Sequence, residues 1–82
     1  MQTLISKING VDIVTVVRDG EVFVPIKPVC DAIGIDVDAQ RNKLNADEFF
    51  NSVTAIITAT GADGKRYEMY CIRLRDVYGW LA

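Results

Sequence analysis

Two dipeptides, Asn9-Gly10 and Asp19-Gly20, bracket the β-branched run Val11-Asp12-Ile13-Val14-Thr15-Val16-Val17. Such pairs supply the positive backbone dihedrals of two-residue hairpin turns, whose twist matches that of the strands they join. Stiff branched side chains suit a pleated surface. The pattern therefore predicts an antiparallel meander: strands over Thr3 to Ile8, Val11 to Val17 and Glu21 to Ile26. Pro25 confines the end of the third strand to a sheet edge or a bulge, because it cannot donate to a ladder.

The pattern changes at Lys27-Pro28. Pro28 suits the first position of a helix, and Val29, Ala32 and Ile33 share one helical face before Gly34, a left-handed stop. After Ile35, Asp36 or Asp38 can cap a second helix that runs to about Leu44 or Asn45. Its apolar stripe is thin, Val37 and Leu44 alone. Gln40 and Arg41 flank that stripe, while Asp38, Ala39, Asn42 and Lys43 point away from it. Such a helix is either a solvated cover or a recognition helix. Asp47-Glu48 reads as a turn before Phe49-Phe50.

From Asn51 the period returns to two. Val53, Ala55, Ile57 and Ala59 lie opposite Thr54, Ile56, Thr58 and Thr60. Gly61-Ala62-Asp63-Gly64-Lys65 forms a hairpin loop, and Arg66 to Arg73 is the return strand. Leu74, Val77, Tyr78 and Leu81 then open a helix at i, i+3, i+4, i+7. That helix reaches Ala82 without a clear cap, as in a shortened product or a domain cut from something longer. The 82 residues are expected to form one α+β domain over 1–82: an antiparallel β-meander, a helix-turn-helix-like pair, a β-hairpin and a C-terminal helix.

Composition narrows the chemistry. There is no histidine, which removes imidazole acid–base catalysis, Ser-His-Asp and Cys-His pairs, and His-bearing zinc sites. Cys30 and Cys71 form no CxxC and cannot fill a four-ligand zinc site alone. They read as small apolar residues in a reduced core, with a disulfide as the alternative. The loop 61–65 lacks the spacing, the following Ser/Thr and the strand-to-helix setting of a phosphate loop. Asp36 and Asp38 lack the remaining ligands of a calcium loop. No carboxylates converge for acid–base work, so neither an enzyme nor a cofactor is expected. No leader and no apolar run long enough to span a membrane is visible, so a cytoplasmic location is expected.

The net charge of −2 comes from nine Lys+Arg and eleven Asp+Glu, and it is segregated. Stretches 1–38 and 47–63 are acidic, while 39–46 and 64–82 are basic. Lys27, Arg41 and Lys43, joined by Lys65, Arg66, Arg73 and Arg75 of the last hairpin arm, could form a local patch able to touch a few phosphates; surface solubility explains the same charges. Helix–Gly34–helix also hints at a helix-turn-helix. Cys30 takes the place of its small residue, Gln40 stands where an apolar residue is usual, and Gln40, Arg41 and Asn42 are base-reading types.

The blocks Val24-Pro25-Ile26-Lys27-Pro28-Val29-Cys30-Asp31-Ala32-Ile33-Gly34-Ile35 and Ala39-Gln40-Arg41-Asn42-Lys43-Leu44 resemble the N-terminal domain of phage antirepressor proteins. The later Gly61-Ala62-Asp63-Gly64-Lys65, Met69, Cys71-Ile72-Arg73-Leu74 and Gly79-Trp80-Leu81 continue the resemblance, from about Val22 to Leu81. The family is related to BRO-N domains of large DNA viruses and prophages. The resemblance implies a non-enzymatic regulatory module in a bacterial host cell, contacting DNA, a phage repressor or both. It also implies a C-terminal region beyond this chain. It carries over no catalytic residue. The nucleic-acid or partner-binding candidates, chosen from charge and helix geometry, are Lys27, Gln40, Arg41, Asn42, Lys43, Lys65 and Arg66. The competing expectation is a protein-binding or self-assembling module, using a strand edge or the aromatic residues Phe49, Phe50 and Trp80. Trp80, at helical spacing from Val77, also fits a core position.

Overall fold

A computed structural model describes residues 2–8, 10–60 and 63–81, apart from the side chains of Gln2, Ala59 and Thr60. Its strands are β1 (Gln2–Ile8), β2 (Val11–Arg18), β3 (Glu21–Pro25), β4 (Thr54–Thr60) and β5 (Arg66–Arg73). Helices α1 (Ile26–Ile33), α2 (Val37–Ala46) and α3 (Glu48–Ser52) fall between β3 and β4. A 3₁₀ turn, Leu74–Asp76, leads into α4 (Val77–Leu81). The fold is α+β, with the three-strand meander, the helices, the hairpin and the C-terminal helix in the expected order.

The five strands form one antiparallel sheet in the order β1-β2-β3-β5-β4. Asp19 and Gly20 take positive φ values of 52° and 77°, as a tight β2–β3 turn requires. Asn9 of the first turn and Gly61-Ala62 of the last loop lie outside the described residues. At the far side of that loop, Asp63 accepts hydrogen bonds from the Lys65 amide at 3.0 Å and from the Tyr67 hydroxyl. These bonds, the tyrosine's foremost, hold the Asp63 carboxyl below its ordinary pKa.

The sequence reading placed Pro25 at an edge or bulge. Instead β3 is the central strand, and Pro25 is its last residue, opposite Cys71. A missing N–H costs little there because the chain leaves the sheet at the next residue. The helix also starts earlier than Pro28 predicts: Pro25 is its N-cap, and Pro28 is the third helical residue, still within the first turn, where amides have no intrahelical acceptor. Its buried face is accordingly Ile26, Val29 and Cys30, and Ala32 and Ile33 are exposed. Gly34 ends α1 as expected, with φ 78° and its amide bonded to Cys30 O at 2.9 Å.

Asp36 caps α2 by accepting from the Ala39 amide at 3.1 Å. Exchanging Asp36 for Ala should lower stability by about 1 kcal/mol, and Asn should restore most of it; urea titrations of the two variants check this. Helix α3 is absent from the sequence reading, which made Asp47-Glu48 a turn. Asp47 is its cap, accepting from the Phe50 amide at 3.0 Å. At the C-terminus the first turn is 3₁₀ rather than α, and Arg73 Nε meets Asp76 Oδ2 at 2.7 Å. The tighter winding shifts the buried positions to Val77 and Trp80 and leaves Tyr78 exposed.

The larger apolar cluster lies on the sheet face covered by helices, joining Ile13, Val24 and Ile72 to Ile26, Val29, Leu44, Val77 and Trp80. A smaller one, Val16, Ile57 and Cys71, with Phe23, Ala55 and Met69 against it, sits on the other face. Strand alternation separates the two: Ile72 and Cys71 are neighbours in β5 and face opposite ways.

Candidate binding cleft

Strand lengths build the site. β2 and β5 have eight residues each and β3 only five. β3 pairs with residues 16–18 of β2 and 71–73 of β5 and then turns away as α1. Beyond that point 11–15 and 66–70 are laddered only to β1 and β4. Pro25 fixes where pairing stops, since in register it would face Val14 and has no N–H to offer its carbonyl. Backbone groups in an antiparallel ladder alternate between the two sides of a strand. With the hydrogen-bonded pairs set by the β2–β3 turn, the N–H and C=O groups of Asp12 and Val14 point away from β1. Those of Glu68 and Tyr70 point away from β4. All four residues line one cleft of about 830 Å³, within the range of ligand-binding clefts.

The closed end of the cleft is the Pro25–Pro28 segment, and its helix-side wall is α2 through Val37, Asp38 and Arg41. Val14, Val16, Ile26, Met69 and Tyr70 give it an apolar interior. Tyr70 is held by its hydroxyl, 2.8 Å from Asn45 Oδ1 and 3.2 Å from Thr54 Oγ1. The Arg41 guanidinium lies 5.1 Å from the centre of the Tyr70 ring, a cation–π distance. Asp12, Asp38 and Glu68 also line the cleft, and none of them is in an ion pair with a described residue. Next to it the β1–β2 arm exposes large apolar side chains, Ile5 at 71% and its cross-strand partner Val14 at 57%.

Of the residues singled out from sequence, Lys27 and Arg41 share this cleft. Asn42 is exposed on α2. Lys43 borders a smaller cavity of about 150 Å³ with Leu44, Phe50 and Trp80. Lys65 and Arg66 are exposed where β5 begins, outside the lining of either cavity. Gln40 Oε1 accepts the Trp80 indole N–H at 3.1 Å, tying α2 to α4. Trp80 is 6% exposed and belongs to the core. Phe50 packs half-buried against that core, and exposed Phe49 meets it edge-to-face at 5.3 Å between centroids. The cleft residues Asp12, Val14, Glu68, Met69 and Tyr70 were not anticipated. Their signal was the mismatch between two eight-residue strands and a short one ending in proline.

Both cysteines are free and buried. Burial foremost, then Asp31 and Asp36, pushes the Cys30 thiol above its ordinary pKa; burial pushes Cys71 to about 11, against a smaller opposing effect of Arg18. Thiolate is the reactive form, so native protein should react with a thiol-specific disulfide reagent at least 100-fold more slowly than in guanidinium, followed by absorbance. Among the described residues no group of three or more His, Cys, Asp or Glu side chains could hold a metal ion. No described helix is long and apolar enough to cross a membrane.

A five-stranded antiparallel sheet with helices on one face and an open, strand-edged cleft makes this a small α+β domain whose most developed surface feature is a groove. The family model described as the P22_AR N-terminal domain matches residues 6–82, and the chain belongs to that family, the phage antirepressor N-terminal domains. It is thus a phage regulatory module. No curated protein and no solved structure matches the chain.

Proposed function

We propose that the domain regulates phage genes in the cytoplasm of the host cell by binding a phage repressor protein, with the cleft between β2 and β5 as its contact surface. The observation that carries this reading is the pair of strand edges facing each other across an apolar groove. Unpaired backbone groups beside apolar side chains are what an incoming polypeptide satisfies. The cleft's three carboxylates outnumber its two cations, Lys27 and Arg41, and so favour a protein there over nucleic acid.

DNA contact is the second reading, favoured by the exposed polar face of α2. Arg41, Asn42 and Lys43, with Lys27, Lys65 and Arg66, offer cations and base-reading groups, while Gln40 is engaged with Trp80. Each neutralised phosphate would add about 0.9 to the slope of log affinity against log salt. Capture from a lysogen lysate with the domain as bait, with and without nuclease, separates the two. Recovery of a repressor, identified by mass spectrometry and insensitive to nuclease, is the expected result. DNA fragments without any repressor would favour the second reading, and neither would sink both.

A further inference from the structure

We infer that the outer edge of β1 pairs antiparallel with β1 of a second copy, about a two-fold axis at Ile5, so that one sheet runs through both. β1 ends the sheet and, among the described residues, ladders only to β2. Ile8 and Val11 face each other across the two-residue connection between them, which makes them a hydrogen-bonded pair. Alternation then turns the N–H and C=O groups of Leu4, Ser6 and Ile8 toward β2 and those of Thr3, Ile5 and Lys7 outward. Nothing guards that edge. Gln2–Ile8 has no proline, its register with β2 has no bulge, and its single charge is Lys7 near one end, whereas exposed edges are usually blunted by such devices. The β1–β2 arm also exposes large apolar side chains on both faces, Leu4 and Val11 on one, Ile5 and Val14 on the other.

The pattern of β1 is complementary to itself. Antiparallel pairing along the whole of Gln2–Ile8 has one register, with Ile5 opposite Ile5, Thr3 opposite Lys7 and Leu4 opposite Ser6. Ile5 is the middle residue of β1 and its backbone points outward, so every outward group of Thr3, Ile5 and Lys7 finds a partner. The side chains agree. Ile5 is 71% exposed, the most of any large apolar residue among those described, and its cross-strand neighbour Val14 is 57% exposed. Pairing sets Val14 and Ile5 of one copy and Ile5 and Val14 of the other in one apolar row, with neighbours about 5 Å apart. The charges are compatible as well. Lys7 already faces Asp12, and the two copies' Lys7 residues lie about 13 Å apart along the strands. The opposite edge, β4, exposes Ile56 alone among its described large apolar side chains and offers no such row. Contact along one seven-residue strand belongs to the small interfaces, below about 1,200 Å² in total, for which micromolar affinity is the expectation. β2 stands between the paired strands and the cleft, so the inference is independent of repressor binding.

Sedimentation equilibrium of the whole chain between about 5 µM and about 1 mM tests this, and the mass should rise from that of one chain toward that of two. Ile5→Lys, at an exposed position, sets two ammonium groups against each other on the axis and should weaken association about tenfold or more. Ile5→Glu should do the same. An equimolar mixture of the two variants should restore association, because only pairing of position 5 with itself sets Lys against Glu. Ile56→Lys on β4 should leave association unchanged, and circular dichroism of each variant should match the parent. In the associated protein, amide exchange at Thr3, Ile5 and Lys7 should slow about tenfold or more, while the intervening amides, already bonded to β2, change less. A single-chain mass throughout would overturn the proposal. So would association that survives Ile5→Lys, association lost instead in Ile56→Lys, or a Lys–Glu mixture of folded variants that stays monomeric.

Discussion

Ile72→Ala is expected to lower the free energy of unfolding by about 3 kcal/mol, within the 2–5 kcal/mol span of such truncations in packed cores. Ile72 has no exposed surface, lies on β5 opposite Val24 of the central strand, and belongs to the cluster under the helices. Strands on both sides hold its surroundings, so the site cannot collapse around the lost methylenes. In a chain of 82 residues that loss is a large part of a total of about 5–8 kcal/mol and should lower Tm by about 12–20 °C. Urea unfolding should shift its midpoint with an unchanged slope. A loss below about 1 kcal/mol would mean that the core beneath α1 is not packed as described.

Trp80→Ala should cost still more, about 3–5 kcal/mol. The indole is almost fully buried in the same cluster, and its N–H is the donor that Gln40 accepts across 40 positions of sequence. Trp80→Phe keeps most of the apolar contact and removes the donor, so its cost should be nearer 1–2 kcal/mol. A double-mutant cycle between Trp80→Phe and Gln40→Leu should return a coupling of about 1 kcal/mol. Additive single effects would dissociate the hydrogen bond from the anchoring of α2 to α4.

Local signals carried much of the fold. The Asp-Gly turn, the β-branched runs and Gly34 act through the backbone preferences of a few adjacent residues, and they fixed the meander, the α1 stop and the last hairpin. Non-local pairing was hidden. Nothing in Glu21–Pro25 announces that β5 will join it from 46 or more positions away, so Pro25 puts the end of β3 at an edge or a bulge when the strand is the centre of the sheet. Pro28 invited a helix start that the chain takes two residues sooner, because Ile26 has a buried place to fill. α3 escaped notice because a five-residue helix depends on its Asp47 cap rather than on periodicity.

The candidate site was legible in the same uneven way. Charge and helical phase picked out Lys27 and Arg41, which do meet in one cleft. They could not foresee that Trp80 would occupy Gln40, since the two are brought together only by tertiary packing. Nor could they foresee the groove itself. It arises from the subtraction of a short strand from two long ones, and neither hairpin contains that information alone.

The most direct test of this account is amide hydrogen exchange over the whole chain, with and without the phage repressor recovered by capture. Slowed exchange at Asp12 and Glu68, with the α2 surface around Asn42 and Lys43 unaffected, is the predicted outcome. Protection confined to that α2 surface, or none at any position while the repressor is bound, would contradict it.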